Sequence, residues 1–182
     1  MKTGARVGAA LSWLSLLVLS GCASPAAREH GPFVRPALQD DFLDHLVGRW
    51  HIARSIRGKV VENAMEARWV LQHQFVEMHL IDAATPPAYE ATVYLGFDPD
   101  KARYVAHWCD NFGAGFSALG YGVRRGDSVE FRFEYDDGPF FNAFTWHADD
   151  DSWTFRGENA ASDGSRKLFM EDRATRSSDR RE

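Results

Sequence analysis

The chain has 182 residues, of which 45% are hydrophobic, 13% aromatic and 26% charged. This length and composition are typical of one globular domain with a sizeable core. The formal charge is −5, and it becomes −7 without residues 1–21, which carry Lys2 and Arg6 and no acid. An acidic chain argues against nucleic-acid binding, because a nucleic-acid site requires a basic face.

The N-terminal segment has the features of an export signal. Lys2 and Arg6 precede an apolar run from Val7 to Leu19 that is too short to span a bilayer comfortably. The residues Leu-Ser-Gly-Cys at positions 19–22 resemble the lipobox of bacterial lipoproteins. That resemblance implies cleavage before Cys22 and acylation of its thiol. An ordinary signal peptide that is cut just after Cys22 is the alternative.

The lipobox resemblance implies a protein of the bacterial cell envelope, attached to the membrane by three acyl chains that include palmitate. Two or more chains hold a protein stably, whereas one chain binds only reversibly. Ala23 follows the cysteine, which favours the outer membrane, facing the periplasm. We therefore predict a signal peptide at 1–21, a flexible Ala- and Pro-rich tether at 22–39, a folded domain at 40–174 and a disordered polar tail at 175–182.

A short helix is predicted at the start of the folded domain. The apolar residues of the segment 40–48 fall on one side of a helix. Asp40 is a suitable N-cap, and Gly48 is a suitable end.

From Arg49 onward the apolar residues recur with a period of two, which indicates strands. The clearest case is the segment 128–135, where every second residue is Val, Phe or Tyr and the others are polar. Nine similar segments are separated by turns rich in Asp, Gly and Pro. About ten strands in succession predict an all-β fold, a single antiparallel up-and-down β-barrel, because closure removes exposed edges. A barrel of that size can hold side chains and one small ligand.

Two motifs resemble known families. The Gly-x-Trp at Gly48–Trp50, directly after a short helix, resembles the calycins, which include lipocalins and fatty-acid-binding proteins. The stretches Tyr94–Asp98 and Trp108–Asp110 resemble DUF1579, a bacterial family of unknown function, with similarity from about residue 42 to 174. The resemblance implies a calycin-like barrel.

The same families imply roles for particular residues. In lipocalins the motif tryptophan packs at the closed end of the barrel, under an arginine from the end of the last strand. Trp50 matches that tryptophan, and Arg173 is the candidate arginine. The related nitrobindins bind haem through a histidine near the C-terminus, but the last histidine here is His147. The histidines show no metal-ligand spacing, so we expect no haem, metal or other cofactor.

Arg54 is the candidate polar residue inside the barrel. It shares parity with Trp50 and therefore points inward. Fatty-acid-binding relatives hold a ligand carboxylate with a buried arginine, a contact that suits a guanidinium. Alternatively, Arg54 pairs with Asp172, which shares parity with Leu168 and Met170 on the strand expected to close against the first.

Aromatic side chains dominate the predicted inner face. In a closed barrel such side chains are expected to fill the core, and they line a pocket only if the strands splay apart at one end. Four glycines flank Phe116 and either leave room there or allow the strand to bend, namely Gly113, Gly115, Gly120 and Gly122. The candidates for the lining of a cavity, besides Arg54, are Trp108, Phe131, Phe133, Tyr135, Phe144 and Trp146.

His107 and Cys109 share one face of a strand. A Cys-His pair is nucleophilic when the thiolate is stabilised and a third group orients the histidine. The alternate residues Tyr104, Ala106 and Trp108 are expected to point inward, so His107 and Cys109 are expected outside. With Cys22 acylated, Cys109 has no intramolecular disulfide partner.

These features predict a non-catalytic protein that binds a small apolar or amphipathic molecule within the barrel. A structural or protein-interaction lipoprotein with a filled barrel is the alternative, and an enzyme using His107 and Cys109 is less favoured. The sequence does not identify a protein partner.

The lipobox reading predicts that Cys22→Ser abolishes acyl labelling and prevents cleavage by the lipoprotein-specific peptidase. The barrel should keep its stability, because no disulfide depends on Cys22. As a control, Trp50→Ala should lower the free energy of unfolding by about 3 to 5 kcal/mol and leave acylation intact. Normal incorporation of labelled palmitate in Cys22→Ser would refute the lipobox hypothesis.

Overall fold

The computed structural model describes residues 35–178. The predicted signal peptide, Cys22 and most of the predicted tether lie outside the described residues. In the described part, no helix is long and apolar enough to cross a membrane.

The described chain forms a short helix and ten strands. Each strand is antiparallel to the next along the chain, and the first pairs with the last to close a barrel. The predicted up-and-down barrel is thereby confirmed. The elements are α1 (Asp41–Leu46), β1 (Gly48–Ile56), β2 (Lys59–Val70), β3 (Phe75–Asp82), β4 (Glu90–Asp98), β5 (Arg103–Asp110), a 3₁₀ turn (Ala114–Phe116), β6 (Ala118–Arg125), β7 (Ser128–Tyr135), β8 (Gly138–His147), β9 (Ser152–Ala160) and β10 (Arg166–Arg176).

Helix α1 plugs one end of the barrel, called here the closed end. Asp40 caps the helix as predicted, since its Oδ1 accepts from the backbone N–H of Leu43 at 2.9 Å. Phe42, Leu43 and Leu46 are fully buried. The ring of Phe42 lies 5.0 Å from that of Trp153 in an edge-on contact. The apolar face of the helix therefore completes the core at this end.

Trp50 is covered by Arg176, and the prediction of Arg173 is wrong. Trp50 pairs with Arg176 across β1 and β10, and the guanidinium carbon lies 3.8 Å from the indole centroid. Arg173 instead lies between the buried residues Asp172 and Ala174 and projects outward to Asp150. Parity places Arg173 on the outer face, and the strand continues until Arg176 reaches the tryptophan.

Two further expectations about β10 need correction. The predicted tail at 175–182 starts too early, because Thr175 and Arg176 still pair with β1. Leu168 is 49% exposed rather than inward, because the pairing with β9 shifts between Leu168 and Met170. Such a bulge adds one residue to the strand and reverses the alternation beyond it.

Arg176 also binds the end of the helix. Its Nη1 donates to the carbonyl oxygen of Val47 at 2.7 Å, and its Nη2 donates to that of His45 at 3.3 Å. Carbonyls at the end of a helix lack helical partners, so Arg176 satisfies that of Val47 and shares that of His45 with the indole N–H of Trp153, which donates at 3.3 Å.

We therefore expect Arg176→Ala to lower the free energy of unfolding by about 1 to 3 kcal/mol, through loss of the indole contact and of the carbonyl bonds. The matched control Arg173→Ala breaks an exposed ion pair and should cost less than about 1 kcal/mol. Urea unfolding of both variants measures the difference. Equal losses would show that Arg176 does not stabilise the closed end.

Candidate functional site

The candidate site lies at the open end of the barrel, defined as the end opposite α1, where β5 and β7 finish. The predicted aromatic lining divides between the two ends. Trp108 and Tyr135 lie at the open end and are only partly buried. The remaining aromatic candidates belong to the buried core, and these are Phe131, Phe133, Phe144 and Trp146.

The space predicted beside Gly120 is filled. A Cβ built on Gly120 would lie 2.5 Å from the ring of Phe133, so the missing side chain makes room for that ring. The same holds for Gly122, where a Cβ would lie 2.6 Å from the carbonyl oxygen of Glu130. These inward-facing glycines permit dense packing rather than a cavity.

Arg54 and Asp172 form a buried ion pair across the closing strands. Arg54 Nε donates to Oδ1 at 2.9 Å, and Nη2 donates to Oδ2 at 2.7 Å. Arg54 is 8% exposed and Asp172 is 1% exposed. Of the two alternatives predicted for Arg54, the structure shows the internal ion pair with Asp172. This pair uses Nε and Nη2 of the guanidinium, and Nη1 does not take part in it.

Tyr89 connects this pair to the rim. The guanidinium of Arg54 lies 5.1 Å from the centre of the Tyr89 ring. The indole N–H of Trp108 donates to the Tyr89 hydroxyl at 3.0 Å. Burial raises the pKa of Tyr89 to about 12, so the hydroxyl stays protonated at neutral pH. Burial likewise raises the pKa of the Asp110 carboxyl.

Asn142 is a further polar group of the interior, beside Arg54, Asp172 and Asn63. It is 1% exposed, and its Oδ1 has no hydrogen-bond partner within the described residues. Buried acceptors are almost always bonded to protein or water, and an unpaired one costs free energy. Asn142 faces inward from β8 and pairs with Gly157 of β9 and Phe131 of β7. An apolar wall thus carries one acceptor that requires a donor.

The thiol and histidine lie on the outer wall, away from this site. Cys109 Sγ is 3.7 Å from His107 Nε2 and 3.4 Å from the hydroxyl oxygen of Ser117. His107 Nε2 is 3.1 Å from the same hydroxyl. Among the described residues no carboxylate pairs with His107, and its ring contacts the Ser117 hydroxyl instead. The described residues also contain no cluster of three potential metal ligands.

Sequence reasoning identified Arg54, Asp172 and Trp108 but missed Asn142 and Tyr89. Asn142 carries a usable signal, because it is the single polar residue at an inward position between Phe140 and Phe144. Tyr89 lies in the loop before β4, where the alternation of apolar and polar residues does not indicate which way a side chain points.

The buried pair generates a prediction about stability. Arg54→Met leaves a buried carboxylate without its partner and should cost about 3 to 5 kcal/mol at pH 7. The double variant Arg54→Met/Asp172→Leu should recover most of that loss, since it buries no charge. Urea unfolding of the two variants tests this, and a double variant no more stable than the single one would contradict it.

The pH dependence of the single variant follows from the same burial. Burial raises the pKa of Asp172, and the contact with Arg54 opposes that rise. A carboxyl with a raised folded-state pKa contributes stability at low pH that is lost as pH rises through that pKa. The deficit of Arg54→Met should therefore shrink as pH falls from 7 through the raised folded-state pKa of Asp172. It should stop shrinking near pH 4, the ordinary pKa of an aspartate in the unfolded chain.

Two solved structures are similar to this chain. Among solved structures, Rv2717c from M. tuberculosis is similar with a TM-score of 0.54 and 13% identity, over 74% of this chain and 94% of that one. A redesigned β-barrel covers the same shares at 14% identity and a TM-score of 0.33, which carries no argument. The first likeness shows the barrel fold alone.

No curated protein matches the chain at a significant level. Residues 35–176, however, match the family described as "Protein of unknown function (DUF1579)". That match spans the helix and all ten strands. The chain belongs to the DUF1579 family.

Proposed function

We propose that this protein is a lipid-anchored barrel of the bacterial envelope that binds a small amphipathic molecule, without catalysis, at its open end. The lipobox at Cys22 supports the anchor and the envelope location. The unpaired Oδ1 of Asn142 is the observation that carries the proposal of binding, because this buried acceptor needs a donor.

The chemistry of the open end favours a head group with a hydroxyl. Asn142 Oδ1 needs a donor, whereas Arg54 Nη1 is a donor that the ion pair does not use. A hydroxyl both donates and accepts, so it matches both groups. A free carboxylate fits less well, because Asp172 already neutralises Arg54.

The apolar part of the ligand has a partly exposed aromatic surface to contact. Trp108 lies 6.3 Å from Phe133, and Tyr89 lies 5.9 Å from Phe112, between ring centroids. Phe112 is 64% exposed on the loop after β5. Aromatic surface with a few polar groups is typical of small-molecule sites.

A structural or protein-interaction role is the second candidate. It is favoured by the outer face of β6, where Leu119, Tyr121 and Val123 are 48%, 38% and 59% exposed. Exposed apolar neighbours on one strand are typical of interaction surfaces.

The test is native mass spectrometry of the gently purified full chain, alone and with added 1-decanoylglycerol. We expect a co-purifying small molecule or a one-to-one adduct with the probe. Asn142→Leu should weaken the adduct about tenfold, through loss of one hydrogen bond in a dry site.

Thr145→Val is the matched control, because it changes a residue of the same strand that faces outward, and it should leave the adduct unchanged. Absence of any adduct in the wild-type protein, or equal binding by Asn142→Leu, would overturn the proposed binding and favour the interaction role.

A further inference from the structure

The outer wall of the barrel carries a groove that is separate from the open end. It has a volume of about 430 Å³ and lies across the outer faces of β5, β6 and β7. Its side chains include Arg103, Tyr121, Val123, Arg125, Ser128 and Glu130. This groove is independent of the proposed interior site.

The two arginines of the groove are unusual in this chain. Most arginines elsewhere in the described part form ion pairs with acids, as an acidic protein allows. In the described part, neither Arg103 nor Arg125 has a carboxylate within 4.0 Å, and Arg57, at the opposite end, is similar. The arginines that do form such pairs are Arg49, Arg54, Arg68, Arg124, Arg132, Arg156, Arg166, Arg173 and Arg176.

The guanidinium of Arg103 is held in place by the ring of Tyr121. Its guanidinium carbon lies 3.7 Å from the centre of the Tyr121 ring, a stacked contact that fixes the plane of the group. Its Nε is buried and has no acceptor among the described residues. Arg103 as a whole is partly exposed, and an oxyanion is recognised by the exposed part of a guanidinium edge.

The other groups of the groove are compatible with an anion. Arg125 is exposed and lies opposite Ser128 in the pairing of β6 with β7. Glu130 is the carboxylate on the groove wall, and Arg166 holds it through bonds of 2.6 and 3.1 Å. The repulsion that Glu130 would exert on an anion is therefore largely offset.

We infer that this groove binds a phosphate-type oxyanion, held between Arg103 and Arg125. Val123, 59% exposed, and Tyr121 form an apolar wall beside the arginines, so the oxyanion can carry an organic substituent. A free phosphate and the phosphodiester of a lipid head group share this chemistry.

The experiment is isothermal titration calorimetry of the full chain with two water-soluble probes, inorganic phosphate and glycerophosphoglycerol. The double variant Arg103→Gln/Arg125→Gln should weaken binding at least about tenfold, because two charge-assisted contacts are lost. Raising the salt concentration from about 0.05 to 0.5 M should weaken wild-type binding, since exposed charges are screened.

The matched control is Arg49→Gln/Arg132→Gln, which removes the same charge from exposed arginines that form surface ion pairs. It should bind like the wild type. Tighter binding of glycerophosphoglycerol supports a lipid head group, and tighter binding of phosphate supports the free anion. Undetectable binding of both probes by the wild type, or equal losses in the two double variants, would overturn the inference.

Discussion

The pairing of the first strand with the last is the constraint on which the rest of this structure depends. It aligns Trp50 with Arg176, and Arg54, four residues further along β1, with Asp172. Closure thus supplies both the cover of the motif tryptophan and the counter-charge of the buried arginine. Neither contact forms in a flat meander, because the partners are separated by more than a hundred residues of chain.

The two ends of the barrel differ because α1 covers one of them. At the closed end the helix contributes Phe42, Leu43 and Leu46, and its last carbonyls bind Arg176. Tyr104 also donates to Asp40 at 2.7 Å, which links the helix cap to β5. Polar groups there find partners from the helix. At the open end Trp108 and Tyr89 bind each other. In the middle of β8, Asn142 Oδ1 has no partner among the described residues.

The inside and the outside of the barrel offer different chemistry. Among the described residues, the buried charges are the Arg54–Asp172 pair alone. An isolated buried charge costs several kcal/mol, on the order of 3 to 5 when a partner is removed. On the outside, most arginines pair with a carboxylate. Each such surface pair adds only about 0 to 1 kcal/mol to the free energy of unfolding. An arginine on the outer wall that lacks a carboxylate partner therefore costs the fold little stability, and its guanidinium remains available to bind an anion.

The sequence by itself determined the strand alternation, the number of strands, the capped helix and the inward parity of Arg54 and Asp172. These features are local, because a period of two and a capping residue act within a few positions. The export signal with Cys22 remains a prediction from the sequence, and it lies outside the described residues.

Only the tertiary structure decided which arginine covers Trp50, which way Leu168 points and what fills the space beside Gly120. Register fixes the first, since β10 extends to Arg176 before it meets the tryptophan. A bulge after Leu168 fixes the second. The third depends on Phe133 of the neighbouring strand. Each answer rests on pairing between strands, and alternation along one strand carries no information about its neighbour's register.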